Sequence, residues 1–307
     1  MSMNNFPMFL RMVDRQVLII GGGEQATQKA RLMLKTNAQI SVVAQELEPE
    51  LARYLAEGRI HHITPPLTVE MMRNAQLVFS ATGDVAEGAT HAEMAKESNT
   101  LINVVDMPEF CEAMTPSIVD RAPLVVAIGT EGDAPVLGRQ IKTAIEVMLE
   151  PDLGQFAAFA GRMRQRVAQM VPENQRRNFW RWVFADAPRK AFQIGARERA
   201  YGLVEDQIAV KGAEIVNESR LVFVHASEPN SDLRTLRDVK ALQEADHVFY
   251  ERGFHEEILE LARRDAARAA YGGGEGQGET ALSEARKMVS YGHEVVFITR
   301  ADPADLS

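Results

Sequence analysis

The chain has 307 residues, with 34 Lys plus Arg against 43 Asp plus Glu, a formal net charge of −9 and 46% hydrophobic residues. That composition excludes intrinsic disorder and fibrous repeats, and at roughly 100–200 residues per domain it predicts two or three folded units. No apolar run approaches the ~20 residues of a membrane span, and Arg11, Asp14 and Arg15 interrupt the N-terminus before a signal-peptide core could form; a cytoplasmic protein without a membrane segment is expected.

Gln16-Val-Leu-Ile-Ile20 is a short apolar run that stops at three glycines, which predicts a buried parallel strand entering a tight turn. A helix follows, because Ala26, Ala30, Met33 and Leu34 fall on one stripe. Further strands are expected at Ile40–Val43, His62–Thr64, Leu77–Ser80 and Leu101–Val105, with helices at Pro49–Glu57, Val69–Asn74 and Gly88–Ser98 between them. This alternation predicts an α/β fold with a Rossmann-like, doubly wound parallel sheet. Cys111, the single cysteine, can form no internal disulfide and is read as a free structural thiol. Leu124–Ile128 adds a strand, a helix spans about Val136 to Leu149, and helical sequence continues to about Tyr201. Lys211-Gly212 reads as a linker. Beyond it, Leu221–Val224, His247–Tyr250 and Glu294–Ile298 read as strands and Gly272–Gly278 as a flexible loop.

The charge is unevenly placed. Residues 161–199 carry 10 basic and 3 acidic groups, whereas the flanking segments are each 8 charges negative. Such a patch attracts a polyanion. The acidic flanks would repel a long phosphate backbone and no DNA- or RNA-binding signature is present, so no nucleic acid is expected. A small ligand with several carboxylates fits better.

Gly21-Gly-Gly23-Glu-Gln-Ala26 matches G-x-G-x-x-A directly after a strand and at the start of a helix. Gly21 allows the turn, Gly23 leaves room for a pyrophosphate, and Ala26 lets the helix approach the sheet. Ser41–Pro49, where an adenine ribose should lie, offers Glu46 and no Arg or Lys, which favours NAD over its 2′-phosphate form. The seven histidines are scattered without metal-site spacing; His91 reads as a helix-surface residue and no fixed metal site is expected.

Asn103-Val-Val-Asp106, followed by Met114-Thr-Pro-Ser-Ile-Val-Asp-Arg121, resembles the siroheme synthase family in its precorrin-2 dehydrogenase/sirohydrochlorin ferrochelatase module. The likeness covers about residues 6–205 and includes the glycine turn, Ala81-Thr82, Pro135-Val-Leu137 with Arg139, and Leu153-Gly-Gln155. It implies NAD-dependent oxidation of precorrin-2 to sirohydrochlorin, insertion of ferrous iron as a substrate to give siroheme, and a homodimer. The domains are then a dinucleotide-binding domain at 1–113, a dimerisation region at 114–150, a basic helical domain at 151–210 and a methyltransferase-like lobe at 213–307. Asp106 takes the catalytic role of general base in both reactions, with transient contact to the metal as it enters. Cofactor contacts are expected from Gly21, Gly22, Gly23, Glu24, Gln25, Gln45, Glu46, Thr82, Asn103 and Val104, and substrate contacts from Ser117, Thr130, Arg139, Arg162 and Arg166. Thr130 also stands where some members carry a serine reported as phosphorylatable; a plain turn residue is the simpler expectation.

Residues 213–307 resemble the first part of a uroporphyrinogen methyltransferase module through Leu236–Tyr250 and Leu259–Asp265. His225–Asp232 replaces the glycine turn of the S-adenosylmethionine site, the second glycine loop is reduced to Thr299–Pro303, and the chain stops at Ser307 before the second half of that module. No methyltransferase activity is expected, and a remnant lobe with a structural or docking role is. Two other functions compete: an NAD-dependent oxidoreductase for another acidic metabolite, without chelatase activity, and a non-catalytic NAD-binding sensor.

Overall fold

Four consecutive apolar residues, Val17–Ile20, follow Gln16 in the central strand β1 (Gln16–Ile20), and all four are buried. In the computed structural model, which describes residues 3–212, 219–225, 235–254, 256–272 and 276–300, the chain divides into two units, Met1–Ala158 and Phe159–Ser307. In the first, β1 is followed by α1 (Glu24–Met33), β2 (Gln39–Val43), α2 (Pro49–Ala56), β3 (His61–Ile63), α3 (Val69–Arg73), β4 (Leu77–Ser80), α4 (Val85–Ser98) and β5 (Leu101–Val104). The five strands form one parallel sheet in the order β3-β2-β1-β4-β5. The chain steps outward from β1 to β3 and then returns to the other side of β1. That reversal opens a crevice at the carboxyl ends of β1 and β4.

Alternation along the strands divides the core between two faces. Val17, Ile19, Ile40, Val42 and Phe79 pack with Ala26, Ala30, Leu51 and Tyr54 of α1 and α2. Leu18, Ile20, Val43, Val78, Ile102 and Val104 pack with Met72 of α3 and Ala95 of α4. Each large side chain so buried contributes roughly 1.5–3 kcal/mol. The buried face of α4 consists of Gly88, His91, Ala95 and Ser98, so small residues bring this helix close to the sheet.

A bidentate pair joins α1 to α2: Arg31 Nε and Nη2 donate to Glu50 at 2.9 and 2.5 Å, and the Tyr54 hydroxyl donates to the same carboxylate. These donors, chiefly Arg31, hold the Glu50 carboxyl down at about 2 against the usual 4.5. The carboxylate is bonded only in the folded chain, so its stabilisation is complete above the usual value and is lost as pH falls through about 2. Glu50→Gln should therefore melt lower than wild type at about pH 6, and the gap should close on acidification in thermal melts followed by circular dichroism.

The first unit continues with β6 (Ser117–Arg121) and β7 (Leu124–Ile128), an antiparallel pair separate from the main sheet, and α5 (Pro135–Met148). β6 was not among the strands expected from sequence. Arg121 Nη2 reaches the carbonyls of Glu146 and Leu149, 3.3 and 3.4 Å away, and so binds the carboxyl end of α5. α6 (Leu153–Met170) starts where Gly154 passes the β6–β7 turn; a Cβ there would lie 2.2 Å from the Ala122 carbonyl oxygen.

Helices α6, α7 (Glu173–Ala185), α8 (Ala187–Gln193) and α9 (Arg197–Ala209) carry the basic segment, and helix extends past the expected end near Tyr201. Phe159, Val167, Val171, Phe179, Val183, Phe192, Val204 and Ile208 are buried among them. The lobe that follows comprises β8 (Leu221–His225), α10 (Leu236–Glu244), β9 (His247–Glu251), α11 (Glu256–Leu259), β10 (Ala267–Tyr271), α12 (Gln277–Ser290) and β11 (Val295–Thr299). Its strands form a parallel sheet in the order β10-β9-β11-β8. β10 is an addition to the strands read from sequence, and α12 takes Gln277 and Gly278 out of the expected loop. Residues 226–232 of the replaced glycine turn, 273–275 of the loop and 301–303 lie outside the described residues.

Part of the basic surplus is consumed inside the second unit. Arg177 pairs with Asp246 and donates to the Glu244 carbonyl, while Arg181 pairs with the buried Glu294 at 3.3 Å. Arg176 instead bonds the Ala168 and Val171 carbonyls.

Candidate dinucleotide site

The three glycines after β1 meet three different demands. Gly21 has φ +119, and a Cβ there would lie 2.4 Å from the Ala81 carbonyl oxygen. At Gly22 it would lie 1.8 Å from the Glu46 carbonyl oxygen, whereas at Gly23 it would meet nothing within 4 Å. The first two glycines thus let neighbouring backbone close in, and the third keeps space open. Gly23 is also the N-cap of α1 and no side chain caps that terminus, so its first amide groups are available to an anion.

The glycines line a cavity of about 760 Å³. Gln45, Glu46 and Thr82, expected from sequence, line it too. Leu67 and Thr90, which the sequence did not single out, are wall residues, and His91 is a third. His91, expected on a helix surface, is 8% exposed and its Nδ1 lies 2.9 Å from the Ser80 hydroxyl. Burial holds its imidazole below the usual range, so it is neutral at neutral pH. The lining includes Glu46, Glu48 and Glu87 and no Arg or Lys, which suits a ribose hydroxyl better than a second phosphate. A glycine cradle, an uncapped helix start and an acidic ribose side together fit NAD.

The other expected cofactor contacts are placed elsewhere. Glu24 pairs with Arg31 at 3.3 Å. Asn103 is buried and its Nδ2 donates to the Ala113 carbonyl at 2.9 Å. Val104 is buried, its amide and carbonyl facing the Cys111 thiol at 3.2 and 3.1 Å, which accounts for that cysteine structurally. Gln25 Nε2 donates to Asp106 Oδ2 at 2.9 Å.

Asp106 follows β5 with φ +62, a left-handed conformation that Asp tolerates better than most residues. Its carboxylate is exposed and bonded from α1 rather than turned back to cap its own turn. The helix whose start faces the cavity therefore also holds the one acidic group expected to do chemistry. Among the described residues no group of three or more His, Cys, Asp or Glu could hold a metal ion.

Of the expected substrate contacts, Ser117 and Thr130 meet at the start of α5. A Cβ on Gly138 would lie 3.4 Å from Thr130 Cγ2 and 3.7 Å from Ser117 Oγ. Arg139, the next residue, is exposed. In the second unit, Arg162 lies exposed with its guanidinium 6.0 Å from the Phe159 ring centroid, and Arg166 stands 3.9 Å from Glu205. No helix among the described residues is long and apolar enough to cross a membrane.

An NAD(P)-binding family model matches residues 8–117, and one described as the sirohaem synthase dimerisation region matches residues 152–208. A siroheme synthase of Methylobacillus flagellatus is 37% identical over 265 residues, covering 86% of this chain and 56% of that protein. Siroheme synthase 1 of Yersinia enterocolitica is 37% identical over 306 residues, covering 98% of this chain and 64% of that protein. The chain thus spans somewhat more than half the length of these curated relatives. A solved precorrin-2 dehydrogenase shares the fold, with a TM-score of 0.52 and 22% identity over 66% of this chain and 100% of that one.

Proposed function

We propose that this chain, which matches an NAD(P)-binding model and the sirohaem synthase dimerisation region and is similar to siroheme synthases over most of its length, oxidises precorrin-2 to sirohydrochlorin with NAD and then inserts ferrous iron to give siroheme. The observation that carries the reading is the Gln25–Asp106 bond, which ties a carboxylate at the end of β5 to the helix that begins at the dinucleotide cavity. In the first reaction the substrate's hydride passes to NAD and a proton is released; Asp106 accepts that proton. In the second, two pyrrole protons leave as the ferrous ion enters, and the same carboxylate takes them in turn and passes them to water.

Precorrin-2 carries eight carboxylates, which suits the exposed arginines of α6, Arg162, Arg164 and Arg166. Within the first unit, Ser117, Thr130 and Arg139 are polar groups suited to binding substrate carboxylates. The chain works as a homodimer, a reading supported by the matched dimerisation region. The lobe from β8 to β11 has no methyltransferase activity, since His225–Asp232 supplies no glycine where backbone must approach a cofactor.

Anaerobic incubation with precorrin-2 and NAD tests this. NADH and sirohydrochlorin should appear in equal amounts, and siroheme should form above the uncatalysed rate once ferrous iron is added. NADH without iron insertion would leave an oxidoreductase lacking the chelatase. NAD binding without turnover would replace the enzyme reading by that of a sensor.

A further inference from the structure

Lys29 lies one helical turn beyond Gln25, on the same face of α1. It is half-buried, with its ammonium 5.6 Å from the centroid of the Phe79 ring. Among the described residues it has neither a hydrogen bond nor an ion pair within contact distance. Burial lowers its pKa, and the groups that oppose this are the Asp106 carboxylate first and the Cys111 thiol second. An ammonium held this way is unusual, because a surface lysine normally keeps its charged head in water and a buried one is normally paired.

Its surroundings contain a second unsatisfied group. Phe79 is the register partner of Asn103 across β4 and β5. Asn103 alternates with Ile102 and Val104, which pack on the α3–α4 side, so it belongs to the side covered by α1. Its Oδ1 is buried without a hydrogen bond, although its Nδ2 is bonded. A donor lacking an acceptor, an acceptor lacking a donor, and the carboxylate held by Gln25 therefore share the α1 side of β4 and β5.

We propose that Lys29 is a positioning residue for Asp106: from the helix that also carries Gln25, its ammonium attracts the carboxylate oxygen that Gln25 leaves unbonded and fixes the orientation of the group. This rests on the reading of Asp106 as the proton acceptor. A lysine kept only for packing would be replaceable by Met without loss, whereas a positioning cation would not.

Full-length Lys29→Met and Lys29→Arg separate these cases. Lys29→Met should lower kcat for NADH formation roughly 10-fold or more, leave KM for NAD within about twofold, and melt no lower than wild type because an unpaired half-buried charge is gone. Lys29→Arg should recover part of the rate. Unchanged kcat in Lys29→Met, or equal losses in both variants together with lower melting temperatures, would overturn the proposal. Carboxyl resonances of protein labelled with 13C-aspartate give a readout independent of turnover. The Asp106 signal, assigned by its disappearance in Asp106→Asn, should move in Lys29→Met and return toward its place in Lys29→Arg. Were wild type to leave precorrin-2 unchanged, the proposed reaction would fall while this resonance still decided for or against Lys29.

Discussion

Asp106→Asn should lower the rate of NADH formation from precorrin-2 by roughly 100- to 10,000-fold, the range expected when a positioned general base is removed. Asparagine has the same shape, and its Oδ1 can still accept the bond that Gln25 donates at 2.9 Å. The local geometry therefore survives while the capacity to take a proton does not. Asp106 does not line the cavity of the glycine turn, so NAD affinity measured by calorimetry should stay within about twofold. Iron insertion should fall as well, because each pyrrole proton needs an acceptor. Wild-type rates in both reactions would remove Asp106 from the mechanism.

The sheet of the first unit was legible because its signals are local. Strands such as Gln16–Ile20 are continuous apolar runs, and a glycine turn at the end of one leaves few alternatives. α4 was legible as a helix but not as part of the site. Its buried face, Gly88, His91, Ala95 and Ser98, recurs at helical spacing, yet it is built from small or polar residues, so a search for an apolar stripe passes over it. His91 consequently read as a surface residue, and its place in the cavity wall emerges only with the Ser80 bond. β10 was missed for a related reason: Ala267-Arg-Ala-Ala-Tyr271 is an exposed edge strand with no β-branched residue.

Charge counting identified the basic segment and could not say which arginines remain available. Arg177 and Arg181 reach partners more than 60 residues away in the lobe, a pairing that no local pattern announces. The arginines still exposed on α6 carry the substrate reading forward. The same limit applies to Gln25, expected as a cofactor contact: its bond to Asp106 spans 81 positions, which links two motifs that the sequence presents separately.

The glycine turn permits a sharper test, because adjacent positions should fail in different ways. In Gly22→Ala the new Cβ would lie 1.8 Å from the Glu46 carbonyl oxygen and 2.9 Å from Ala44 Cβ. The oxygen belongs to backbone, and the Glu48 amide is bonded to the Gly22 carbonyl at 2.9 Å, so the segment after β2 must shift as a whole. A loss of roughly 1–3 kcal/mol in stability should follow, with weaker NAD binding as its consequence. Gly23→Ala should behave otherwise. Its φ of −90 suits any residue and its Cβ would meet no protein atom within 4 Å, so unfolding in denaturant should change by less than about 0.5 kcal/mol. The methyl group nevertheless enters the space before the uncapped start of α1, where a pyrophosphate would lie, and NAD affinity should fall by roughly 10-fold or more. Wild-type affinity in Gly23→Ala would place the phosphates away from that helix start, and the acidic Glu46 side could then no longer be taken as the ribose end of the cavity.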